Sequence, residues 1–360
     1  MIFKLSTMRT NIFIMGILLT AFLGVLGVSC KKNSNNPTSY NTDKTLLKAE
    51  IDSLTAVYNS AVEGTKPGDY AIGAKESLDT ALMLASGVAG STSYTQQQVN
   101  NAYNNLVRAG QQFATQLLQQ VSAANLVAYW TFSGNANDSS GNGHNGVLST
   151  GWVGNSATTA VDGGTLPVLV ADRFGRSNRA YDFNNGATIV VPFNSAFNAQ
   201  NFTILLWVKR HTTNANNYMF SLDRWNGYKF QLQSNNFPFL TVNTTTGDHD
   251  QDDNPGTIDS VDVWRHVAVS YTNGTMKFYI QGQLVKTATV TGVPLTLKTP
   301  VDIAIGNELP KNAYNLTDSN DPNYFYGGDF FIGSLDDIRF YNTVLTDAEV
   351  LSIFTDEKSL

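Results

Sequence analysis

A single cysteine, Cys30, stands among 360 residues, so the chain cannot close a disulfide within itself. Charge is scarce too. Asp, Glu, Lys and Arg make up 14% of the chain, against about a quarter in an ordinary globular protein. The net charge is −6 and no dense Lys/Arg patch occurs, so the field that draws a phosphate backbone is missing. Nucleic acid is therefore excluded as a partner. Histidine is rare: His144, His211, His249 and His266. No pair has the i, i+4 spacing of a zinc-binding helix. No Ser/His/Asp order carries a nucleophile elbow. Glutamate is nearly absent from the back of the chain, where only Glu308, Glu349 and Glu357 occur after residue 124. A glycosidase needs two carboxylates flanking the scissile bond, and Glu308 stands alone in a loop. These absences argue against an enzyme.

What is present is apolar residues, at 42%, with Asn, Thr, Ser and Gly filling the place of charge. That suits an extracellular, β-rich protein with polar loops, and the length suggests a leader and two domains. Lys4 and Arg9 precede an apolar run from Ile12 to Val28, the anatomy of a signal segment. It ends Leu26-Gly27-Val28-Ser29-Cys30, which resembles a bacterial lipobox. The resemblance implies lipidation at Cys30, a signal peptide over 1–30, and an outer-membrane lipoprotein of a Gram-negative bacterium, at the cell surface or on the periplasmic face. An uncleaved anchor is the alternative. Residues 31–42 are polar and read as a flexible tether.

Residues 43–122 carry helical spacing in three runs: Leu47, Ile51, Leu54 and Tyr58; then Tyr70, Ala74, Leu78, Leu82 and Ala85; then Val99, Ala102, Leu106, Ala109, Phe113 and Leu117. Gly64 to Gly68 breaks the first, and Thr95 with Gln98 makes a capping box for the third. Short loops predict a three-helix bundle. Gly68-Asp69-Tyr70, Ala74-Lys75 and Leu78, then Thr95-Gln96 and Val99 through Ala109, resemble the FIVAR repeat of bacterial surface proteins. The third helix is predicted to run almost directly into the first strand, making the joint stiff.

From residue 124 to 360 the pattern turns to short alternating runs between Gly, Asn and Asp turns, predicting a mainly β sandwich or jelly roll. Phe202–Lys209, Trp264–Tyr271, Met276–Ile280 and Phe331–Asn342 read as strands, with Gln281-Gly282 as a tight hairpin turn. Trp130–Ala136 with Asp138–His144, Trp264–Tyr271 with Gly274–Met276, and Gly333–Asn342 with Leu345–Val350 are similar to the opening, central hairpin and closing strand of laminin G-like domains. The resemblance implies a concanavalin A-like β-sandwich. It further implies a structural calcium between the opening loop and the closing strand, held by Asp138, Asp336 and Asp337. A turn-capping Asp138 and a strand-end salt bridge are the plain alternative.

Three further stretches stand out. Gly141–Gly146 matches G-x-G-x-x-G but has no βαβ context, so it is no dinucleotide site. Asp248 to Asp253 reads as an acidic loop, either solvated or a ligand- or cation-facing rim that includes Asp250 and Asp252. It fails as an EF-hand, because Asp253 stands at the glycine position and Pro255 follows, although Asp259 falls at the twelfth place. Arg224, Trp225 and Tyr228, with Asn307, Tyr324 and Tyr326 of a long loop, could form an aromatic sugar platform or could simply pack the loops. The expected function is non-catalytic glycan or polysaccharide binding by a lipid-anchored surface protein. A protein-binding adhesion module is the alternative, and a hydrolase of the same fold a further one.

Overall fold

A computed structural model describes residues 39–359 apart from 215, 235, 254–260 and 329. Cys30, the leader, Pro255 and Asp259 lie outside the described residues. Among those described, no helix is long and apolar enough to cross a membrane.

The helical region comes first. Helices α1 (Thr45–Ser60), α2 (Ala74–Gly90) and α3 (Gln96–Ala114) bury the predicted apolar stripe, with Leu47, Leu54, Leu78, Leu82, Val99, Leu106 and Phe113 in one cluster. Thr95 caps α3 as expected: its hydroxyl accepts from the Gln98 N–H, and the Gln98 side chain accepts from the Thr95 N–H. Two details differ from the spacing. Tyr70 belongs not to α2 but to a short parallel pair, β1 (Glu63–Gly64) with β2 (Tyr70–Ala71), where its ring stacks on Phe113 at 4.1 Å. And α3 stops at Ala114. The chain then crosses back over Asp69, whose carbonyl accepts from the Leu118 N–H, before the first strand begins.

The sandwich follows. Its strands are β3 (Leu126–Trp130), β4 (Val147–Ser149), β5 (Trp152–Val153), β6 (Val161–Asp162), β7 (Val168–Val170), β8 (Ala180–Phe183), β9 (Thr188–Val191), β10 (Phe202–Arg210), β11 (Asn216–Leu222), β12 (Tyr228–Gln233), β13 (Pro238–Thr244), β14 (Gly247–Asp252), β15 (Arg265–Thr272), β16 (Gly274–Ile280), β17 (Gln283–Val290), β18 (Ile303–Ile305) and β19 (Gly333–Tyr341). One sheet runs β17-β16-β15-β10-β19-β8-β7, with β3 also paired to β19. The other runs β14-β13-β12-β11-β18-β9-β4. All pairings in both sheets are antiparallel.

Alternation explains the burial between them. Tyr228, Phe230 and Leu232 of β12, Leu240 and Val242 of β13, and Ile204, Leu206 and Val208 of β10 all point into one core. Phe202 stacks on Tyr228 at 4.7 Å and on Phe340 at 5.9 Å, tying the two sheets through aromatic contact. Gln281 and Gly282 both take positive φ, 52° and 74°, as the β16–β17 hairpin turn requires.

A final helix, α4 (Asp347–Ser359), closes the chain on the outer face of the first sheet. Thr346 and Glu349 form the predicted box, and Leu345 packs with Val350. The helical region docks here as well. Leu118 is buried with Trp207, Leu351 and Phe354, and the Gln119 N–H donates to the Ser352 hydroxyl at 2.7 Å.

Candidate functional site

The three carboxylates expected to hold calcium are already engaged by protein donors. Asp138 folds its own loop: Oδ1 accepts from the N–H groups of Tyr129 and Ser140, and Oδ2 from the Ser140 hydroxyl and the His144 N–H. Partial burial raises its pKa, but these bonds outweigh that and hold it below the usual range. Asp336 and Asp337 turn away to a protein cation. Their Oδ2 atoms lie 2.9 and 2.8 Å from Arg173 Nη1. Arg173 is itself buried, donates to the Glu357 carbonyl, and stacks on Trp207 at 4.5 Å. Calcium wants six to eight oxygens. Here the oxygens already have donors, and no group of three or more His, Cys, Asp or Glu able to hold a metal occurs among the described residues.

The aromatic residues fare differently. Trp225 sits in the β11–β12 turn, where Asp223 and Arg224 both adopt positive φ, 52° and 45°. Such backbone is strained for residues with a Cβ and persists only where surroundings hold it. They do so here. The Asn226 and Gly227 N–H groups close onto the Asp223 carbonyl, and a Cβ at Gly227 would meet the Leu222 carbonyl oxygen at 2.2 Å. Arg224 is buried and its Nη1 lies 2.8 Å from Glu308, while Tyr314 also donates to Glu308 at 3.3 Å. The long loop is thereby bolted to the turn, with the Tyr324 carbonyl accepting from Arg224. Glu308, isolated in the sequence, is the buried counter-ion of Arg224.

That lock presents aromatic rings to solvent. Trp225 is 38% and Tyr326 64% exposed. The Arg224 guanidinium lies 5.9 Å from the Trp225 ring and 5.6 Å from the Tyr326 ring, and Tyr324 meets Tyr326 edge-on at 5.1 Å. The Lys229 ammonium sits 3.3 Å from the Trp225 ring centroid. Lys229 is on the outer face of the seven-stranded sheet, because its neighbours Tyr228 and Phe230 point into the core.

Register extends this face sideways. Lys229 is opposite Thr241, and Thr241 opposite Asp250. The Thr241 hydroxyl donates to Asp250 at 2.6 Å. Asp248 faces Asn243, whose side chain donates to the Trp225 carbonyl at 2.8 Å. Asp252 faces Phe239 and meets Lys286 at 3.4 Å. So the stretch expected to be a loop is the edge strand β14, with Asp248, Asp250 and Asp252 on one side of it. The hairpin pairing to β13, closed by the Thr244–Gly247 turn, overrides the poor strand propensity of aspartate. Asp248 holds its proton to higher pH than usual, through partial desolvation and then the charge of Asp250.

Two expected ligand contacts are scaffold instead. Tyr228 is a core residue, 1% exposed, whose hydroxyl donates to the Phe197 carbonyl. Asn307 is buried; its amide donates to the Gly186 carbonyl, and its oxygen accepts from Tyr314 and from the Glu308 N–H. Lys229, Thr241, Gln231 and Asn243 were not anticipated. The alternation Tyr228-Lys229-Phe230-Gln231-Leu232-Gln233 marks Lys229 and Gln231, and that of Leu240-Thr241-Val242-Asn243 marks Thr241 and Asn243, since the polar members must leave the core together.

The chain is similar to several solved structures. Domain 4 of AbnA, an extracellular arabinanase from Geobacillus stearothermophilus solved with arabinotriose, is 20% identical, with a TM-score of 0.47 over 64% of this chain and 98% of that one. The binding domain of paraclostridial mosquitocidal protein 1 is 20% identical, with a TM-score of 0.43 over 64% of this chain and 52% of that one. A botulinum neurotoxin type C structure, described as entering cells through two ganglioside molecules, is 16% identical, with a TM-score of 0.42 over 64% and 51%. The chain thus spans about half the length of these toxin chains. No curated protein matches it. Residues 183–351, from the end of β8 into α4, match the family described as the concanavalin A-like lectin/glucanases superfamily.

Proposed function

We propose that the sandwich is a non-catalytic glycan-binding domain, and that the outer face of the seven-stranded sheet around Trp225 is its binding surface. One observation carries the reading: a half-exposed indole is fixed over the sheet by a strained turn, a buried ion pair and a lysine 3.3 Å from its ring. An exposed large apolar ring costs nothing to explain if it is loose. A ring held this firmly is pre-organised for contact. Sugars offer C–H faces to aromatic rings and hydroxyls to polar side chains, and Thr241, Asn243 and the β14 aspartates lie within two strands of it. In this reading the lipid anchor at Cys30 tethers the domain to the outer membrane and the helical region serves as its spacer.

A glycan array followed by calorimetry tests the proposal. Binding of a polysaccharide that Trp225→Ala abolishes is expected. Failure of every glycan, or binding indifferent to Trp225, contradicts it. A protein partner captured in a sugar-insensitive way would favour the adhesion alternative.

A second reading has its own observation. Asp248 and Asp250 are neighbouring carboxylates on one face, with Asp248 the more reluctant to ionise. A hydrolase splits acid and base roles between such groups. They lie on an exposed edge strand, however, side by side along the chain rather than across a bound sugar, which favours binding. Reducing ends released by the wild type and lost in Asp248→Asn would reverse that preference.

A further inference from the structure

Glu308 fixes more than one segment. Its carboxylate is buried, and Oε1 accepts both from Arg224 Nη1 at 2.8 Å and from the Tyr314 hydroxyl at 3.3 Å. Two paths lead away from it. Through the buried Arg224 it sets the positive-φ turn, and with it Trp225. Through Tyr314 it sets the long loop: Tyr314 meets the buried Phe325 edge-on at 5.3 Å, and Tyr326 is the next residue. Both Nη atoms of Arg224 donate to the Tyr324 carbonyl at 3.3 Å, which joins the two paths. A buried ion pair is costly to break from one side, so neither path swings without the other. The Arg224 guanidinium ends 5.9 Å from the Trp225 ring and 5.6 Å from the Tyr326 ring. The two rings do not stack on one another. Trp225 has the Lys229 ammonium against it, and Tyr326 is set against Tyr324. Two exposed rings therefore flank one buried cation at a fixed separation. A sugar unit is about as wide as one such ring, so each ring takes a different unit.

We propose that Trp225 and Tyr326 form a two-ring platform that reads two units of one unbranched glycan chain, with Glu308 as the positioning residue that sets their separation. The inference rests on the glycan-binding reading above and adds the form of the ligand: a linear chain bound along its length, not a single terminal sugar. The second stack is tied to the first through the glycan, so it forms at a high effective concentration and raises affinity with chain length. Rings fixed before binding lose little freedom when it occurs. A branch on either stacked unit would lift the chain off its ring.

Oligomer ladders from the monosaccharide to the hexasaccharide test this on the full chain, cut from cellulose, xylan, mannan and arabinan and from any other polysaccharide the array selects. Calorimetry reads the longer members and ligand-observed NMR the shorter. Affinity is expected to climb about tenfold or more from the monosaccharide to the tetrasaccharide and then level off. Tyr326→Ala should flatten that climb, and Tyr326→Phe, which keeps a ring, should preserve it. Trp225→Ala should lower the whole ladder. Glu308→Gln should flatten the climb as well, and combining it with Tyr326→Ala should add no further loss, because both act on one spacing. Tyr314→Phe, which removes only the hydroxyl on Glu308, should shrink the climb. A wild-type ladder that is flat from the first unit, or a climb that survives Tyr326→Ala, overturns the two-ring inference and leaves glycan binding at Trp225 standing. A climb left intact by both Glu308→Gln and Tyr314→Phe overturns the role of Glu308. If no polysaccharide binds, both readings fall.

Discussion

Trp225 and Tyr228 stand three positions apart and are put to opposite uses. Trp225 leaves the sheet at a strained turn, while Tyr228 enters the core and hydrogen-bonds to Phe197. Trp225→Ala should change stability by less than about 0.5 kcal/mol, whereas Tyr228→Ala should cost about 3–5 kcal/mol. Denaturant melts of the two variants check this, and comparable losses would place Trp225 in the fold rather than in the binding face. Arg173 carries a second expectation. Because its guanidinium already holds Asp336 and Asp337, a chelator should leave the melting temperature unchanged, while Arg173→Ala strands buried charge and costs about 3–5 kcal/mol. A melt that falls with chelator would show a metal that these side chains give no sign of. Asp253 yields a pH dependence. Both its carboxylate oxygens are buried and have no partner among the described residues, and burial, helped by the charge of Asp252, pushes its pKa up to about 7. Between about pH 4 and 7 the folded chain keeps a proton that the unfolded chain has released, so stability falls as pH rises through that window. Asp253→Asn should raise the melting temperature at pH 8 by roughly 2 °C or more and do little at pH 4. An equal shift at both pH values would contradict this assignment.

At the scale of elements, the parts that follow one rule were legible and those set by pairing were not. Phe202–Arg210, Arg265–Thr272 and Gly333–Tyr341 announce themselves through apolar runs, and the Thr95 cap through its side chains. Thr95→Ala should therefore cost the bundle about 1 kcal/mol, measurable by thermal melt. β14 was hidden because its strand character comes from pairing with β13, not from its own residues. Arg173, which pairs with Asp336 and Asp337, was hidden for a related reason: it lies more than 160 positions away in sequence, and no local pattern marks it. The binding face was half visible. Its aromatic residues stood out by type, whereas Lys229, Thr241 and Gln231 became visible only through the alternation of β12 and β13.

For the whole molecule, the chain folds as a helical region seated on the closing side of a two-sheet domain, with Leu118 buried against Trp207, Leu351 and Phe354 at the seam. The two regions meet through this docking and not through a continuous helix. Trp225 and the β14 aspartates lie on the other sheet, away from that seam. The central claim is that this second sheet recognises sugar with Trp225 as the platform. Calorimetric titration of the full chain and of Trp225→Ala with a panel of polysaccharides, assayed in parallel for reducing ends, tests it most directly. The account predicts saturable binding by the wild type, at least a tenfold loss in the variant, and no release of reducing ends. Binding that survives the loss of the indole, or sugar cleaved during the titration, would contradict it.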